Sequence, residues 1–139
     1  MWRGIVISAF WLAGCSQLPP TAEDIQSKKF EPVPGQAVIY IARQRVDSPN
    51  DGTIMIGNNG MITTYQGTYY RWETAPGAQR IRGYGSFNAS VTVQAEAGKI
   101  YFVLHTVVGD PDDGGISSMH LQQVDERYGR QLVGAAQLL

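Results

Sequence analysis

Three groups of side chains in this sequence have the chemistry for a site. Asp110, Asp112 and Asp113 fall together in GDPDDGG (109–115). Clustered carboxylates and loop carbonyls are the ligands a hard cation such as calcium takes. The spacing does not follow an EF-hand, because Pro111 interrupts it and no glutamate stands at the closing place, so a solvated hairpin loop is the plainer account. His105 and His120 lie on the runs either side of that loop. If Phe102 and Leu104 point inward with Met119 and Leu121, both histidines face outward together, near enough to share a metal ion. Two ligands without a third make a poor metal site. Ser117, Ser118 and His120 have the types of a nucleophile and a base, but neighbouring strand positions can neither orient the base nor supply an oxyanion hole. GYGSFN (83–88) opens like a dinucleotide loop, yet lacks the third glycine and the following helix. The expectation is a protein with no catalytic residues, metal or cofactor.

The third group is Arg71, Arg80 and Arg82. Arg80 and Arg82 share one face of a strand, and a hairpin at Pro76-Gly77 is expected to bring Arg71 beside them, with Tyr69 and Trp72 nearby. Such a grouping would suit an anionic ligand: a phosphate, an acidic glycan or a partner's carboxylate. The alternative is a solvated sheet face with Glu73 as counter-charge.

One residue has chemistry of a different kind. Cys15 is the single cysteine, and it closes the sequence LAGC (12–15). Before it stand Arg3, a short positive n-region, and the apolar run from Gly4 to Leu12, which is of signal-peptide length and too short for a ~30 Å hydrocarbon core. Ala13 and Gly14 are small, as a signal peptidase requires. LAGC resembles the bacterial lipobox at all four places. The resemblance implies cleavage before Cys15, a thioether-linked diacylglycerol on its sulfur, and an acylated amino group. A thiolate is the nucleophile such a transfer needs, and two or more acyl chains hold where one does not. Ser16 follows in place of the aspartate that retains enteric lipoproteins in the inner membrane, which resembles the outer-membrane pattern. An ordinary signal peptide or anchor helix with an incidental cysteine is the competing account.

Lipidation would leave no thiol, so the domain must stand on its core without a disulfide. With 43% apolar residues it can do so. The full chain carries a net charge of −1, and loss of Arg3 with the leader makes it −2. That balance disfavours nucleic acid as a partner. The partners expected are the membrane, through the lipid on Cys15, and an envelope protein.

These residues need a scaffold. Residues 15–35, with Pro19, Pro20, Pro32 and Pro34, have the composition of a flexible tether, with Phe30 as the residue that could dock on the domain. From Gln36 the pattern becomes short β-type runs separated by turn residues. AVIYIAR (37–43) is apolar up to its closing Arg43, as a central strand would be. Asn59-Gly60 signals a hairpin pairing Ile56 with Thr63 and Ile54 with Tyr65. GTYYRWETAPGAQRIRG (67–83) reads as two strands joined at Pro76-Gly77, SVTVQA (90–95) alternates, and IYFVLHTVV (100–108) and ISSMHLQQV (116–124) follow. In the tail, Tyr128, Leu132, Ala135 and Leu139 recur near helical spacing behind Asp125, an N-cap type. The expectation is an all-β antiparallel sandwich, immunoglobulin-like, of about seven to eight strands with a short C-terminal helix. Its domains would be a removed signal (1–14), the lipidated tether (15–35) and the sandwich (36–139).

The order AVIYIAR, GTYYRWETAPG, AEAGKIYFV is similar to an uncharacterised family of bacterial envelope lipoproteins with a small all-β domain, of the domain of unknown function 2846 type. The matching positions are Val38 to Arg43, Thr68 to Gly77 and Gly98 to Val103, and Ala42 before Arg43 departs from the family's opening strand. The resemblance covers about residues 35–108 and carries no catalytic residues. It implies a membrane-anchored, non-enzymatic binding or accessory module. A periplasmic sensor for a small anion or a metal is the alternative.

Overall fold

The structure is a computed structural model, and it describes residues 19–85 and 88–139. The expected signal sequence (1–14) and Cys15 lie outside the described residues. In chain order the elements are α1 (Ala22–Ser27), β1 (Ala37–Ala42), β2 (Gly52–Ile56), β3 (Gly60–Thr64), β4 (Thr68–Thr74), β5 (Gly77–Gly83), β6 (Ser90–Ala95), β7 (Ile100–Gly109), β8 (Ile116–Val124), α2 (Glu126–Gly134) and β9 (Gln137–Leu138).

The strands form the expected β-sandwich, with five in the order β8-β7-β1-β4-β9 and four in the order β3-β2-β5-β6. Within it, β1 pairs parallel with β7 and β4 parallel with β9, and the other pairings are antiparallel. The unbroken apolar run of β1 follows from its place, because it is covered on both faces. Ile39 and Ile41 point into the core between the sheets with Ile54, Ile81, Val93 and Val103. Val38, Tyr40 and Ala42 point the other way, into a second core with Tyr69, Phe102, Leu132 and Val133. That second core lies under α2, which Asp125 caps by accepting from the backbone N–H of Tyr128 at 2.8 Å. The four-stranded sheet is buried on its inner face only. Its β2 and β6 accordingly alternate apolar and polar residues.

Three expectations about connections give way. The β2–β3 hairpin pairs Ile56 with Gly60 and Ile54 with Ile62, not with Thr63 and Tyr65. Gly57, at φ 57°, takes the left-handed position of a loop centred on Asn58, and this register turns Ile54 and Ile62 together toward the core. The Pro76-Gly77 connection is not a hairpin within one sheet. It carries the chain from β4 in one sheet to β5 in the other, because β1 and β9 already occupy both edges of β4.

The third correction concerns the tether. From residue 19 onward this stretch is folded against the domain. Thr21 caps α1 by accepting from the N–H of Asp24 at 3.1 Å. Phe30, at φ 55°, turns its ring between Tyr40 and Phe102, with centroids 5.3 and 5.8 Å away. Val33 joins the same core. The physical reason is long-range: Phe30 and Val33 meet an aromatic surface built from Tyr40 and Phe102, while Ile25 stays exposed.

Candidate functional site

Among the described residues, three groups of polar side chains bear on the expected sites. The first is at the end of the sandwich beyond β1, where Arg43 is buried between the sheets. Its Nη2 lies 2.6 Å from Oδ1 of Asp47 and donates to the carbonyls of Ser48 and Asn50, while Nη1 donates to the carbonyl of Thr64 at 2.9 Å. Asp47 Oδ2 accepts from the backbone N–H of Val107 at 2.9 Å. Thr64 Oγ1 donates to the Gly52 carbonyl at 2.9 Å and is therefore the acceptor for Nδ1–H of His105, 3.1 Å away. That bond fixes the His105 tautomer and leaves its buried Nε2 without a partner among the described residues. Burial pushes the His105 pKa down to about 4; the Arg43 guanidinium adds to this and Asp47 opposes it. The imidazole is thus neutral and locked, an arrangement that ties the ends of β1, β3 and β7 together.

The second place is an open cleft of about 830 Å³ between α1 and β4, with Glu23, Glu31, Val33, Arg71, Glu73 and Leu138 among its walls. Arg71 donates from Nε to the Tyr40 hydroxyl at 3.2 Å and is paired with Glu73. On the buried side of α1, Asp24 accepts from the Tyr69 hydroxyl at 2.8 Å and from the Leu138 N–H at 3.1 Å, and Lys28 lies 3.0 Å from its other oxygen. Burial acts to raise the Asp24 pKa, but Tyr69, Lys28 and Leu138 outweigh it and hold the carboxyl below its usual range. Burial, reinforced by the Asp24 charge, pushes the Tyr69 phenol up. The third place is the outer face of the four-stranded sheet. Ile81 points inward from β5, so its neighbours Arg80 and Arg82 point outward, and Arg80 Nε donates to Ser90 Oγ at 3.2 Å.

The expected grouping of Arg71 with Arg80 and Arg82 is therefore not assembled. The first stands on the helix-covered sheet, its charge met by Glu73; the others stand on the outer face of the opposite sheet. Tyr69 is fully buried and Trp72 packs against the core between the sheets. The histidines are separated too. His105 is opposite Leu121 and His120 opposite Thr106, so His105 points into the sandwich and His120 out of it. The reason is the parity of β7: Phe102 and Leu104 face the helix layer, which turns His105 to the core. In the loop, Asp110 Oδ1 accepts from the N–H groups of Asp112 and Asp113, closing a turn. Among the described residues no three His, Cys, Asp or Glu side chains stand close enough to hold a metal ion. Nor is any described helix long and apolar enough to cross a membrane.

Sequence reasoning missed two features. Arg43 and Asp47 stand four apart in RQRVD, and Thr21 and Asp24 have capping spacing, so both carried a local signal. What each partner reaches across the fold carried none. The sequence matches no protein-family model and no curated protein.

Proposed function

We propose that this chain is a bacterial envelope lipoprotein, anchored through lipid on Cys15 at the periplasmic face of the outer membrane, and that its sandwich is a non-enzymatic binding or accessory module. The observation that carries the anchor is the placing of the one cysteine at the end of LAGC, directly behind an apolar run of signal length. The module reading is supported by how the reactive side chains are spent: His105, Arg43, Asp47, Asp24 and Tyr69 are committed to one another and to backbone groups. The family resemblance of residues 35–108 points the same way.

Labelling with a palmitate analogue tests the anchor. The wild-type chain is expected to carry label and enter a detergent phase, and Cys15→Ala to do neither. A labelled Cys15→Ala chain, or an unlabelled wild type, overturns it. Crosslinked pull-down from intact envelopes tests the module, which requires a protein or envelope polymer to be recovered.

A further inference from the structure

Among the described residues, the longest outer strand has no strand paired to its open edge. β8 closes one side of the five-stranded sheet with nine residues, whereas β9, at the other side, has two. Outer strands usually carry lysine, proline or a bulge that prevents further pairing. The sequence ISSMHLQQV has no lysine, proline or glycine, and its one bulge, at Ser117, lies toward the hairpin end and leaves Ser118 to Val124 regular. An open groove of about 490 Å³ runs beside Ser117 to Leu121, with Asn88 to Ser90 on its far wall.

The backbone groups along this edge can be assigned. The N–H of Val107 is bonded to Asp47 Oδ2 and its C=O to the N–H of Ser48 at 3.2 Å, so both point away from β8. Val107 and Met119, opposite one another, are then a non-hydrogen-bonded pair. Met119 must direct its own N–H and C=O to the open edge, and by alternation Leu121 and Gln123 do the same. The sequence is also matched to itself about His120. An antiparallel copy turned about that residue sets Met119 opposite Leu121 and Ser118 opposite Gln122. Apolar residues meet apolar and polar meet polar. Moving the register by two residues sets Leu121 against Ser117, or Met119 against Gln123, and breaks the match.

We propose that β8 is a dimer interface, pairing with β8 of a second copy of this chain about a two-fold axis at His120 to join two five-stranded sheets. The occupant is the same chain because the strand is complementary to its own reverse, as an isologous contact requires. Met119 and Leu121 extend the core row across the axis, and Ser118, His120 and Gln122 form a polar row outside.

The two His120 residues would form a non-hydrogen-bonded pair with Cα atoms ~4.5 Å apart, within the span a disulfide bridges. In the full-length chain in intact envelopes, His120→Cys is expected to give a reducible dimer. Ser118→Cys and Gln122→Cys are expected to bridge when coexpressed and to do so poorly alone. The wild-type chain on the same gel accounts for any bridge through Cys15. Purified wild type is expected to be dimeric by light scattering. Gln123→Pro, which removes an outward N–H and no bond to β7, should be monomeric with its circular dichroism unchanged. A wild type that stays monomeric with no His120→Cys bridge overturns the proposal. So does a bridge from that position to a different protein, which would make β8 a docking strand for a partner.

Discussion

The guanidinium of Arg43 and the carboxylate of Asp47 meet at 2.6 Å, with side chains 1% and 2% exposed, at the end of the sandwich where β1 stops. A buried pair of this kind contributes little net stability when intact, but losing one member strands the other charge away from water. Asp47 also holds the N–H of Val107, so it joins the loop after β1 to β7.

Asp47→Ala is therefore expected to lower the unfolding free energy by about 3–5 kcal/mol. Replacing both residues, Arg43→Met with Asp47→Leu, should cost less than Asp47→Ala alone. Urea denaturation of the three proteins checks the order.

His105 makes stability depend on pH. Its pKa is about 4 folded against 6.5 unfolded, so between those values the unfolded chain binds the extra proton. Stability then rises with pH across this window. It is fully present above about 6.5, falls as pH drops to about 4, and the loss amounts to ~3 kcal/mol at 1.36 kcal/mol per unit. His105→Gln should flatten this part of the curve. Asp24 acts lower down. Its lowered pKa gives stability that is present above the ordinary aspartate value of 3.8 and is lost as pH falls below it, so the two contributions separate in denaturant midpoints measured against pH.

Asp24→Ala is expected to cost about 1.5–3 kcal/mol, the range for hydrogen bonds to a charged group. It leaves the Tyr69 hydroxyl and the Leu138 N–H without their acceptor. Tyr69→Phe should cost less, and the double variant less than the sum, because the two share one bond. Thermal melts of the four proteins form the cycle. A chain begun at Gly35 would lose α1 and Phe30 together and should melt well below the chain that keeps them.

Two glycines of α2 should behave in opposite ways. A Cβ on Gly129 would overlap the ring of Phe102, whereas one on Gly134 meets nothing within 4 Å. Gly134→Ala is expected to stabilise by about 0.4–1 kcal/mol. Gly129→Ala should destabilise in spite of its better helix propensity. Melting temperatures of the two variants decide the matter.

The legible parts of this fold were those set by local pattern. β1, β6 and β7 stand where apolar runs and alternation put them, and Asp125 begins α2 as its type suggests. What could not be read depends on partners far along the chain. The two helices over the five-stranded sheet gave it a second buried face, and that reversed the reading of β7 and hence of His105. The sequence offers Phe30 as a residue that docks on the domain, but not the surface that Phe30 and Val33 join, which is built from Tyr40 and Phe102. The arginines were grouped on the assumption that a short Pro-Gly connection keeps two strands in one sheet. The helix-covered face binds Arg71 to Tyr40 and Glu73, and the crossing to the other sheet carries Arg80 and Arg82 away.

Asp24 and Leu138, bonded at 3.1 Å, are 114 residues apart. A polypeptide threaded across a membrane from its amino end delivers the aspartate long before its partner. Through that interval α1 has no β9 to lie on, and β4 still has an open side. On the proposed reading, acyl transfer to Cys15 falls within that interval, before α1 docks. Arrival of Leu138 ends that period by drawing α1 onto the sheet. Docking serves as the closing step of assembly, set by chain length rather than by a separate signal.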